Sequence, residues 1–108
     1  MRTSTKEAFL LLEDWKAEGK ILHVVAAPGG RFSAVVSSVS RSKERVILRN
    51  VLGERDEVPF NLSGAAFEYA EPGVAVGPGI EKWHSFLKAE LLEGGMIMFL
   101  VPRPPGRI

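Results

Sequence analysis

Six consecutive residues, Glu81 to Phe86 (EKWHSF), bring together a tryptophan, one of the chain's two histidines and a serine. Those are residue types that nucleophilic catalysis uses. A serine nucleophile, however, needs a base within hydrogen-bond reach and a third group that orients the base. Neighbours on a strand or a helix point in different directions, so adjacency alone does not let His84 activate Ser85. The other histidine, His23, lies in a run rich in β-branched residues, and no HxxxH or carboxylate–histidine spacing joins the two as a metal site. EKWHSF therefore reads as packing, with His84 beside Trp83. No catalytic residue, cofactor or metal is assigned, and the chain is expected not to be an enzyme.

Three further segments carry chemically suggestive residues. In APGGRF, Gly29 and Gly30 precede Arg31, as in a loop that cradles phosphate, but such a loop opens a helix whose N-terminus faces the anion. A strand follows here, so a hairpin turn is the expectation. The acidic residues Glu54, Asp56 and Glu57 end too soon to supply the alternating oxygen ligands of a calcium loop, and read as a solvated turn. The basic run RSKERVILR, Arg41 to Arg49, is different in kind. Arg45 and Arg49 share one face of a strand because their spacing is even, and Arg41 and Lys43 precede them. With Arg31 these cations form a candidate surface for single-stranded RNA, since arginine pairs bidentately with phosphate. Aromatic residues that would stack on bases are not interleaved with them. The competing reading is a solvated strand face whose charges guard an edge from aggregation.

The elements that must position these residues can be read from local signals. Ser4 and Glu7 have capping-box spacing, and Ala8, Leu11, Leu12 and Trp15 recur every three or four residues, with Phe9 widening the stripe. Gly19 suits the left-handed position that ends a helix, which places the helix at about residues 5–18. Residues 20–27, 32–39 and 45–52 read as strands, with Phe32, Ala34 and Val36 on one face and Val35, Ser37 and Val39 on the other. A strand around 58–62 contains Pro59, which cannot donate to a ladder, so that strand is expected at an edge or with its donor side facing out. A short strand at 66–71 and a Pro/Gly-rich connector at 72–79 follow. Residues 80–92 fit both a helix and a strand. The reading taken is a helical turn at about 81–85 and then a hairpin through 101, with its turn at Glu93–Gly95. The tail, 102–108, reads as extended or frayed.

Composition narrows the class. The 108 residues suit one domain, 45% of them are hydrophobic and 25% charged, and there is no cysteine, which excludes disulfides and thiolate chemistry. The apolar N-terminal run is broken by Glu13 and Asp14, and MIMFLV is far too short to span a membrane, so the expectation is a cytoplasmic protein with no membrane partner. The net charge of +1 is unevenly spread. Residues 31–55 hold six basic and two acidic residues, a net +4, whereas residues 56–101 hold two basic and seven acidic, a net −5. Such asymmetry suits an anionic partner or self-association.

MIMFLV, Met96 to Val101, is apolar at every position, so both faces of that strand require cover. One face belongs to the core, and the other calls for cover by the N-terminal helix, with its Phe9 and Trp15, or by a second copy of the protein. The expected state is a homo-oligomer, with Phe9, Trp15, Trp83, Met98 and Phe99 as interface anchors.

A helix leading into about five strongly bent antiparallel strands, over residues 5–71, resembles the layout of the Sm-like proteins. That resemblance implies a small barrel, assembly as a ring and, often, RNA binding. The motifs that carry RNA contacts in that family are not matched. Ser38 to Ser42 stand where its Asp and Asn would fall, and LSGAAF contains Gly64 without the Arg of its Arg-Gly pair. None of the family's nucleotide-binding residues is therefore carried over. The helix ending in W-x-x-x-G and the later FEYAEP are also similar to small bacterial proteins of unknown role. The fold class expected is mainly β (α+β): an N-terminal helix followed by a strongly bent Sm-like small barrel and a C-terminal hairpin. The function expected is a non-catalytic binding or assembly module, or, as the alternative, an Sm-like RNA-binding protein.

Overall fold

The helix, α1, spans Thr5–Glu18 and begins as its local sequence dictates. In the computed structural model, which describes residues 2–27, 29–51, 57–70 and 83–102, the Ser4 hydroxyl accepts from the Glu7 amide at 3.1 Å, and the Ser4 amide donates back to the Glu7 carboxylate at 3.4 Å. At the other end Gly19 takes φ 63° and ψ 29°, and its N–H reaches the Lys16 carbonyl. The left-handed backbone there costs glycine nothing.

Among the described residues eight strands accompany the helix: β1 Arg2–Thr3, β2 Leu22–Ala27, β3 Gly30–Ser40, β4 Arg45–Asn50, β5 Glu57–Asn61, β6 Ala66–Ala70, β7 Trp83–Glu90 and β8 Met96–Pro102. They form one antiparallel sheet in the order β1-β6-β7-β8-β2-β3-β4-β5. Among the described residues the fold is thus mainly β with a single N-terminal helix. The sheet is not closed into a barrel, which departs from the expected architecture: β1 and β5 are its edges. The C-terminal hairpin β7–β8 is not an appendage. It is inserted between β6 and β2 and joins the two halves of the sheet.

Pro59 explains one open edge. The Leu62 N–H donates to the Glu44 carbonyl at 2.8 Å, which places Leu62 in a hydrogen-bonded pair with its neighbour across the ladder. By the alternation of an antiparallel ladder, Phe60 and Val58 also turn their backbone groups toward β4, while Glu57, Pro59 and Asn61 turn theirs outward. The missing amide of Pro59 therefore falls on the open side, as the edge reading required.

Strand alternation builds the core. Leu22 and Val24 on β2, Val46 and Leu48 on β4, Leu87 and Ala89 on β7, and Ile97 and Phe99 on β8 are all fully buried on one face. α1 lies against that face with Ala8, Phe9, Leu12 and Trp15 buried, and it packs on both β3 and β6. Those strands are four places apart in the sheet, so the sheet must curl around the helix to meet it twice. Phe9 and Phe67 mark the β6 contact, with ring centroids 6.2 Å apart at 73°. Phe32 and Phe60 are partly buried against the same core, as expected.

Two local readings change. β3 shifts register between Val36 and Ser38, and this bulge reverses the alternation, so that Val39 packs on the core beside Val46 instead of facing out. Residues 83–85 are strand, where a helical turn was expected, because pairing with β8 decides an ambiguous sequence. The connector 72–79 and the tail beyond residue 102 lie outside the described residues.

Candidate binding surfaces

The serine of EKWHSF points into the core. Ser85 is 3% exposed and sits opposite Val101, on the face that carries Leu87 and Ala89. A hydroxyl 3% exposed gives a substrate no approach. The register of β7 on β8 shifts between Trp83 and Ser85, which makes His84 the extra residue of a bulge. The side chains of Trp83 and His84 lie outside the described residues. His23 is on the outer face of β2, between Ser33 of β3 and Leu100 of β8. Among the described residues, no group of three or more His, Asp or Glu side chains converges as a metal site. No helix there is long and apolar enough to cross a membrane.

The residues read as interface anchors separate into two groups. Phe9, Trp15 and Phe99 are 1%, 5% and 0% exposed, covered by the chain's own helix and sheet, so none of them is presented to a second molecule. Their apolar character was legible, but the fold uses it internally. Met98 lies on the outer face of β8, half-buried, opposite Val25 on one side and Lys88 on the other. Its strand neighbours Met96 and Leu100 share that face, with Phe86 of β7 opposite Leu100 and Ala27 of β2 opposite Met96. Lys88 pairs with Glu90 at 3.2 Å beside this apolar surface.

The basic residues also divide. Arg41, at the start of the β3–β4 turn, donates Nε–H and Nη2–H to the two carboxylate oxygens of Glu13 on α1, each at 2.7 Å. That hydrogen bonding, with the guanidinium charge, holds the Glu13 carboxyl below its ordinary pKa and raises that of Arg41. Arg41 is thereby occupied. Arg31, Lys43, Arg45 and Arg49 are exposed, and among the described residues none has a carboxylate within ion-pair distance. Arg31 occupies an outward position on β3, and Arg45 and Arg49 occupy outward positions on β4. Glu57 stands opposite Arg49, yet its carboxylate accepts the Ser37 hydroxyl at 2.6 Å, reaching over β4 to the bulge of β3.

An open cleft of about 250 Å³ lies between the turn after β5 and the β7–β8 turn, lined by Asn61, Ser63, Leu91, Leu92, Glu93 and Gly94. Among the described residues that line it, Glu93 is the one ionisable group. The cleft offers no pair of groups between which a proton or a metal could be shared.

Comparison of the chain with protein-family models, curated proteins and solved structures finds no match to any of them.

Proposed function

We propose that this chain is a non-catalytic binding module that assembles with copies of itself through the outer face of β7, β8 and β2. The observation that carries the reading is the double-sided apolar character of β8. Ile97, Phe99 and Val101 supply the core, and half-buried Met96 and Met98 line the opposite face with Phe86, Val25 and Ala27 from the adjoining strands, over Leu100, which is 7% exposed beneath them. A surface built on two methionines adapts to an apolar partner, and the Lys88–Glu90 pair provides a polar margin. A two-fold contact would set the same patch of each copy against the other. The order of helix and then bent strands supports an Sm-like layout for this module, as an open variant.

Light scattering on a sizing column, over a hundredfold range of protein concentration, tests the reading. The natural chain is expected as a discrete oligomer and Met98→Asp as a monomer with an unchanged circular dichroism spectrum. A natural chain that stays monomeric throughout overturns it.

A further inference from the structure

The outer face of β3 and β4 carries a row of cations that self-association through β8 does not use. The ladder register orders them. Arg49 lies opposite Val35, four residues along β3 from Arg31, and Arg45 lies opposite Ser40, five residues further along. At roughly 3.3 Å per residue the first step is about 13 Å, and the second, four residues along β4 because the bulge absorbs one on β3, is about 13 Å as well. Lys43 continues the line into the turn. Ser33, Ser38 and Ser40 punctuate it with hydroxyl donors, and no aromatic side chain of β3, β4 or β5 faces outward among them, because Phe32 and Phe60 pack inward.

An extended row of guanidinium groups with no ion-pair partner among the described residues matches a polymer that carries a charge at regular intervals. Each guanidinium can grip a phosphate bidentately, and among the described residues of β3, β4 and β5 no Phe, Tyr or Trp side chain stands beside it to stack on a base. We propose that Arg31, Arg49, Arg45 and Lys43 bind the phosphodiester backbone of single-stranded nucleic acid without base selectivity. Arg41 is not part of the site, because Glu13 already neutralises it.

Fluorescence anisotropy of the full chain with a labelled uridine 20-mer tests this directly. Four phosphate contacts on a single strand give a slope near −0.7 per contact, so affinity is expected to fall about 50-fold between 50 and 200 mM salt. A mixed-sequence 20-mer is expected to bind equally. Arg45→Gln with Arg49→Gln should weaken binding at 50 mM salt at least tenfold, and Arg31→Gln with Lys43→Gln should do the same from the other end of the row. Glu13→Gln with Arg41→Gln, which leaves net charge unchanged, should not alter it. Absence of binding at 50 mM salt, retention of affinity in both arginine-row variants, or equal competition by polyglutamate, which would indicate an acidic protein partner, overturns the proposal. Because Met98→Asp leaves the row intact, RNA binding by that variant separates this inference from the assembly reading.

Discussion

Arg41 and Glu13 are joined by two parallel hydrogen bonds of 2.7 Å, and this pair ties the middle of α1 to the end of β3. The two side chains are 46% and 37% exposed, so water and salt weaken the pair, and its main effect is to fix where the helix crosses the sheet. Glu13 has its pKa lowered in the folded chain. A depressed carboxylate contributes stability that is present above its unfolded pKa and lost as pH falls through the folded one. Thermal melts of the natural chain and Glu13→Gln are therefore expected to differ modestly at pH 7 and to converge as the pH drops below the ordinary carboxylate range. A difference that persists at pH 2 would show that the carboxylate charge is not its source.

Phe9 is 1% exposed and meets Phe67 edge to face, which makes it the main apolar link from α1 to β6. Phe9→Ala removes that contact and leaves a cavity under a curled sheet that cannot easily collapse. The expected cost is about 3–5 kcal/mol, a large share of the stability of a domain this size. Urea unfolding followed by circular dichroism measures it, and a loss below about 1 kcal/mol would mean that the helix repacks.

Glu44 is the one non-glycine residue with positive φ among the described residues, at 50°. It closes the β3–β4 turn, where its N–H meets the Arg41 carbonyl and its own carbonyl receives the Leu62 N–H. The left-handed backbone costs a β-carbon about 1 kcal/mol. Glu44→Gly should leave the turn unchanged and raise stability by up to about 1 kcal/mol, less the added freedom of the unfolded chain, read as a Tm increase of a few degrees.

Pro59 keeps the outer side of β5 short of a donor. Pro59→Val restores an amide at an edge that already presents Glu57 and Asn61, and so offers a continuous strand for a second chain to join. The variant is expected to fold with similar stability and to aggregate faster at high concentration, measured by light scattering over time. Unchanged solubility would show that the curl of the sheet, rather than Pro59, protects the edge.

Much of the local architecture was legible from residues within four positions of one another. The capping box at Ser4 and Glu7, the left-handed Gly19, the β2–β3 turn at Gly29 and the outward cost of Pro59 all act over such distances, and each is where its chemistry demands. The bulge in β3 was not legible. Nothing in SAVVSSVS distinguishes Ser37 from its neighbours, and only pairing with Leu48 and Ile47 leaves it as the extra residue. The same holds for Trp83 to Ser85, which read as a helical turn until β8 supplied a partner for a strand.

What the sequence alone determined is therefore the helix, most of the strands and the sign of charge along them, because caps, turns and alternation are short-range, whereas β1 and the start of β7 at Trp83 came only from strand pairing. Tertiary structure decided which strands are neighbours, and with that which apolar side chains are core and which are surface. Phe99 and Met98 are adjacent in the chain and equally apolar. Pairing of β8 with β2 and β7 places one inside at 0% exposure and the other on the outer face. Likewise Arg41 and Arg45 are alike as sequence, but a glutamate 28 residues away occupies the first and leaves the second for another anion. A residue's type states what it can bind, and only the fold brings, or withholds, the partner.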